Sequence, residues 1–303
     1  MAVSKFLDPK NDVAFRKIFG SEKNKDILIH FINDIMGFED ANQIQEVTFL
    51  SPVQNPEIAY KKESVVDVLC EDGNGTKIIV EMQVSPSKGF EKRAQYYASK
   101  AYSRQLNSGQ GEDGLYKNLK EVIFIAISNY NIFPKKAEYI SHHVILDKKT
   151  YENDLKDFSF SFIELKKFPL DKIEQLTTII EKWCYFFKYA GETSETDLKK
   201  LIGSDLVIER AYEALNQFNW NENDLLLYEE EIKRIMDNRA AEDYLIDQRK
   251  EIEDKARLEG EARGEARSKD ELARKMLAKG KSIDEIIELT DLTLEQIEQL
   301  KLS

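Results

Sequence analysis

With 303 residues the chain is long enough for one large domain or two of ordinary size, and 42% apolar with 33% charged residues is the composition of a globular, water-exposed protein. The longest apolar runs, 122–128 and 178–189, fall short of a bilayer span, and residues 1–9 lack the apolar h-region of a secretory signal. The net charge of −12 argues against a polyanionic partner for only part of the chain: the first 150 residues carry 20 basic and 20 acidic side chains, the remainder 24 and 36.

In chain order, Asn11 or Asp12 can cap a first helix in which Phe15, Ile18 and Phe19 follow at helical spacing, and Gly20 breaks it. Ser21 caps a second helix with the stripe Ile27, Leu28, Phe31, Ile32 and Ile35, which Gly37 ends. A short strand near 46–50 and a Pro-containing stretch over 51–56 lead to two β-branched strands, 64–70 and 77–84. Between these lies Asp72-Gly73-Asn74-Gly75, a strong hairpin turn. A helix over 89–106, a polar linker over 107–114 and a strand over 122–128 whose composition reads as fully buried come next, then weaker strands at 143–146 and 158–165. Beyond Pro169 the pattern is helical, over 171–190, 195–202, 204–218 and 222–258. The repeat Gly-Glu-Ala-Arg within 259–267 reads as a hinge or linker, followed by short helices at 268–279, 282–289 and 293–301, the last two capped by Ser282 and Thr293. The expected division is therefore an α/β domain over 1–168 in αβββαβ order, a helical region over 169–258, a linker over 259–267 and a small helical tail over 268–303.

The hairpin allows a geometric test. With Asn74 at the centre of the turn, residues whose numbers sum to 148 face each other, and Asp67 and Glu81 satisfy this. Opposed side chains on an antiparallel pair have Cβ atoms about 5 Å apart and share a face. Alternation puts Gln83 on that face and Met82 on the other. Two such acids are either solvent-facing or joined by a cation. Val65, Val66, Val68 and Leu69 flank Asp67, and Ile78, Ile79 and Val80 precede Glu81, so carboxylates here are costly unless paired or bound to metal. No C-x-x-C, H-E-x-x-H or H-x-E pattern involves His30, His142, His143, Cys70 or Cys184, so a catalytic metal must be held by oxygen. The two cysteines, each among apolar neighbours, read as buried free thiols of a reducing cytoplasm.

Asp67 followed by Glu81-Met82-Gln83 on the next strand, in αβββαβ order, resembles the PD-(D/E)XK nuclease core. More narrowly, the chain is similar to the Rpn family of recombination-promoting nucleases, also labelled transposases. The similarity rests on Asp12-Val13-Ala14-Phe15-Arg16-Lys17-Ile18-Phe19-Gly20, on Ser64-Val65-Val66-Asp67-Val68 and Ile79-Val80-Glu81-Met82-Gln83, and on the helix from Arg93 to Tyr102. The stretch from Ala278 to Leu292 also resembles the family's tail. The resemblance implies a mixed sheet flanked by helices and Mg²⁺- or Mn²⁺-dependent hydrolysis of DNA phosphodiesters. Asp67, Glu81 and the backbone carbonyl of Met82 would hold the ion. Gln83 stands where the wider superfamily most often has lysine, and a neutral amide can hydrogen-bond but cannot balance charge.

Helix 89–106 offers a surface for DNA. Lys88, Lys92, Arg93, Lys100 and Arg104 face Glu91 alone, and Lys92, Tyr96 and Lys100 form one stripe, which is either a solvated face or a track for phosphates. Asp12 can cap its helix or approach the metal. The tail has six acids and no base between Asp284 and Gln299, which fits contact with protein, including a homodimer through the helical half, better than insertion into a groove. Endonuclease activity, a nuclease fold that only binds DNA or protein, and strand-transferring transposition are the readings the sequence admits.

Overall fold

In the computed structural model, which describes residues 5–54, 64–106, 116–203 and 205–302, helix α1 (Asp12–Phe19) opens where the Asn11 side chain accepts the N–H groups of Val13 and Ala14. Asn11 is thus the cap, and Asp12 is the first helical residue. Helix α2 (Lys25–Met36) follows a 3₁₀ turn headed by Ser21 and stops at Gly37, whose φ of 65° is the left-handed conformation that glycine adopts without strain.

Among the described residues eight strands follow: β1 (Val47–Phe49), β2 (Val53–Gln54), β3 (Ser64–Val65), β4 (Val68–Asp72), β5 (Lys77–Gln83), β6 (Val122–Ser128), β7 (Ile140–Val144) and β8 (Phe158–Glu164). Six of them form one mixed sheet in the order β1-β4-β5-β6-β8-β7, while β2 and β3 pair separately. The β5–β6 and β6–β8 pairs are parallel, as β6 needs with α3 (Phe90–Ser103) connecting β5 to it. The hairpin has the register read from its turn, with Val68 opposite Val80 and Leu69 opposite Ile79. Asp72 Oδ1 accepts the N–H groups of Asn74 and Thr76, and Gly75 N–H donates to Asp72 O at 3.0 Å. The expected strand 64–70 is divided: β3 leaves to pair with β2, the chain bends at Asp67, and β4 resumes at Val68.

Alternation along the strands sorts two cores. Val68, Cys70, Ile78, Val80 and Met82 face helices α1, α2, α4 (Ile179–Tyr189) and α6 (Leu206–Leu215). Leu69 and Ile79 face the other way, onto Phe90, Ala94, Ala98 and Ala101 of α3, where the three alanines let that helix lie close to the sheet. Helix α4 begins only after the capping box of Thr178 and Glu181, eight residues later than its apolar spacing suggested. With α5 (Glu195–Ile202), it closes the same core as α1 and α2.

Helix α7 (Glu222–Ala278) runs through 259–267, so the expected linker is helical. Ion pairs one turn apart, Arg263 with Glu259, Arg257 with Glu261 and Arg267 with Glu271, offset the weak helix propensity of its two glycines. Two compact units result, Met1–Ile232 and Lys233–Ser303. The second has its own small core, Ala273, Met276, Ile286, Leu292 and Ile297, built from the end of α7, α8 (Ile283–Thr290) and α9 (Leu294–Leu302). Ser282 caps α8 with Glu285, and Thr293 pairs in the same reciprocal way with Gln296. The polar stretch 107–114 lies outside the described residues, as do residues 55 and 56 of the Pro-containing stretch.

Candidate active site

Where the β4–β5 ladder ends, two carboxylates take over the hydrogen bonding that a continuing strand would have supplied. The bend at Asp67 turns its backbone N–H onto Glu81 Oε2 at 3.1 Å, and Asp67 Oδ2 accepts the Met82 N–H at 2.9 Å. Each acid is thus locked onto the other's strand. Glu81 is only 5% exposed and the Asp67 side chain 10%.

Three further side chains close the cluster. Gln83 Nε2 donates to Glu81 Oε1 and to the Met82 carbonyl, both at 3.0 Å, and Arg93 Nη2 donates to Gln83 Oε1. Arg93 comes from α3, where its guanidinium stacks over Phe90 with 4.8 Å to the ring centre. From the opposite layer, Arg16 Nη2 on α1 donates to Asp67 Oδ1 at 3.0 Å. Gly20 lets the end of α1 lie this close to β4, since a Cβ there would stand 2.9 Å from Arg16 O and 3.5 Å from Val68 Cγ2. Two carboxylates and two guanidiniums are therefore gathered at one end of the hairpin.

Burial, and next the negative charge of Asp67, push the Glu81 carboxyl up to about 8. The Asp67 N–H bond, Arg93 and Arg16 oppose this and lose. Burial also raises the nearby Tyr97 hydroxyl, against the pull of Arg93.

The cluster joins Asp67, Glu81, Gln83 and Met82, all read from the sequence. Arg93, expected on the DNA-facing helix, is turned inward onto Gln83. Lys92 and Tyr96 are exposed on the other side of α3, with Lys100 Nζ 6.0 Å from the Tyr96 ring centre. Lys88 is exposed just before the helix, and Arg104 lies in the 3₁₀ turn after it. Asp12 sits one helical turn before Arg16. Arg16 itself was not singled out by the sequence. The only signal was its place in the opening motif between Asp12 and Gly20, where it reads as an exposed helical cation.

Comparison with known families matches residues 9–244 to the PD-(D/E)XK nuclease family transposases. The chain belongs to that family. No curated protein and no solved structure matches it. The match takes this PD-(D/E)XK chain from just before α1 into α7, so it covers the sheet and, apart from Phe6 and Leu7, the two cores packed on it, and it leaves out α8 and α9. No helix among the described residues of this family member is long and apolar enough to cross a membrane.

Proposed function

We propose that the chain is a divalent-metal-dependent endonuclease that hydrolyses DNA phosphodiester bonds. The observation that carries this reading is the interlocked pair of Asp67 and Glu81, two carboxylates held side by side although one of them is almost fully buried. That arrangement is costly by itself, and a cation relieves it. The donors fit a hard ion such as Mg²⁺ or Mn²⁺: two carboxylates and the Met82 carbonyl, with no sulfur or imidazole beside them. Among the described residues no third His, Cys, Asp or Glu joins the group, so protein would fill only part of a six-oxygen shell.

When bound, the ion supplies activated water and neutralisation of charge at the phosphate. The chain's own residues do the rest. Backbone N–H bonds from Asp67 and Met82 fix the two carboxylates, and Arg93 holds the Gln83 amide with its NH₂ toward Glu81 and the Met82 carbonyl. Lys92, Tyr96 and Lys100 on the outer side of α3, with Lys88 and Arg104 at its ends, suit contacts to the DNA backbone. For the tail, six acids without a base between Asp284 and Gln299 favour a protein partner, such as a second copy of the chain.

The deciding experiment incubates supercoiled plasmid and purified protein with Mg²⁺, Mn²⁺ or EDTA. Nicking that needs metal and falls by at least about a hundredfold in Asp67→Ala is expected. Equal nicking by wild type and variant identifies a contaminant, DNA binding without cleavage identifies a binding module, and joined products identify strand transfer.

A further inference from the structure

Asp67 has two carboxylate oxygens in different situations. Oδ2 accepts the Met82 N–H, an atom fixed by the β5–β6 pairing. Oδ1 accepts from Arg16, a guanidinium at the end of a long side chain that is 50% exposed. Of the two, only the Oδ1 partner can leave without disturbing the sheet. The Arg16 backbone, by contrast, is firmly placed, because α1 is capped by Asn11 and buries Ala14, Phe15, Ile18 and Phe19. A fixed root and a solvent-facing head describe a side chain built to exchange partners.

The surrounding charges indicate where the head goes. Arg93 is engaged by Gln83 Oε1 and by the faces of Phe90 and Tyr97, and Gln83 is neutral. Arg16 is therefore the cation at Asp67 with a head reaching water. A guanidinium and a divalent ion on one carboxylate oxygen repel each other strongly. A phosphate brought to that ion offers the guanidinium an anion with matching fork geometry within side-chain reach.

Resting on the metal-dependent reading above, we infer that Arg16 and the divalent ion compete for Asp67 Oδ1, and that displaced Arg16 becomes a contact to the DNA phosphate undergoing cleavage. It thereby supplies the positive charge that Gln83 cannot. Its two partners are successive, so removing its charge acts oppositely on metal binding and on cleavage.

The test measures Mn²⁺ binding to the full chain by titration calorimetry, without DNA, alongside plasmid nicking at saturating Mn²⁺. In Arg16→Gln, Mn²⁺ binding is expected to tighten about two- to fivefold, the worth of an ion pair with one exposed partner. Nicking is expected to fall about a hundredfold. Arg16→Lys keeps the charge and should lie between wild type and Arg16→Gln in both measurements. Unchanged or weaker Mn²⁺ binding in Arg16→Gln overturns the competition, as a merely structural role for Arg16 would give. Wild-type nicking by Arg16→Gln overturns the phosphate contact, and so does nicking by Arg16→Lys no better than by Arg16→Gln. If Arg16→Gln fails to fold, Arg16→Lys decides alone, and Mn²⁺ affinity equal to wild type overturns the inference. Should wild-type protein bind no Mn²⁺ while folded, the metal reading itself fails, an outcome distinct from any difference between variants.

Discussion

At Glu81, desolvation and the Asp67 charge act together, while one backbone N–H and two guanidiniums act against them. The carboxyl ends near 8, far above the 4.5 it has when unfolded. A folded-state pKa raised in this way means that the native protein binds the proton more tightly. The corresponding stability is complete below about 4.5 and is lost as pH rises toward 8. The proposed divalent ion would have to expel that proton to bind. Apparent Mn²⁺ affinity should therefore fall about tenfold for each pH unit below 8 and level off above it. Mn²⁺ titrations between about pH 6 and 9 check this, and Glu81→Gln should abolish binding across the range. A flat profile in wild type would mean that no proton leaves when the ion arrives. Asp67 and Glu81 were legible in the sequence because a short turn fixes its own register, so pairing follows from counting. Arg16 was not, since its contact with Asp67 joins residues 51 positions apart on different layers, and no local periodicity records such a meeting.

Elements were legible wherever a local device defines them. Asn11, Ser282 and Thr293 mark helix starts, Gly37 marks an end, and the run of β6, apolar up to Ser128, is a strand buried along its whole length. Local composition misleads where tertiary pairing or side-chain chemistry overrides it. Asp67 looked like a residue inside one strand, but β2 draws β3 away and leaves a bend there, which is what frees its N–H and carboxylate for Glu81 and Met82. The repeat at 259–267 looked like a linker because glycine weakens helices, yet its Glu and Arg side chains pair one turn apart. Open space surrounds the position of a Cβ at Gly260 and at Gly264. Alanine at both should stabilise the helix by about 0.5–1 kcal/mol per site. Slower amide hydrogen exchange across 255–270 is the expected reading, whereas unchanged or faster exchange would identify a flexible joint.

At the scale of the whole molecule, the unit that carries the Asp67–Glu81 cluster ends within α7. The division expected at residue 168 does not coincide with the cores, because Trp183 and Phe187 of α4 pack with Phe19 and Phe31 of the first two helices. The two cores around the sheet hold no residue beyond Ile232, and the small core of the tail holds none before Ala273. A fragment of residues 1–232 should therefore fold with a single cooperative transition, melting within about 5 °C of the full chain. The start of α7 belongs to this unit for a specific reason. Tyr228 accepts the Asp8 N–H at 2.9 Å through its hydroxyl and the Asn11 amide at 3.3 Å through its carbonyl, and Asp224 pairs with Lys17. Ending the chain at Asn221 removes all three contacts and a buried ring at the entrance to α1. That should cost about 3–5 kcal/mol and lower the melting temperature by about 10 °C. Since α1 also carries Arg16, the shorter fragment should lose nicking activity at temperatures where it is still folded, while the longer one keeps it. Calorimetry and plasmid nicking on the two fragments separate these outcomes, and equal melting of both would place the boundary before Glu222 instead.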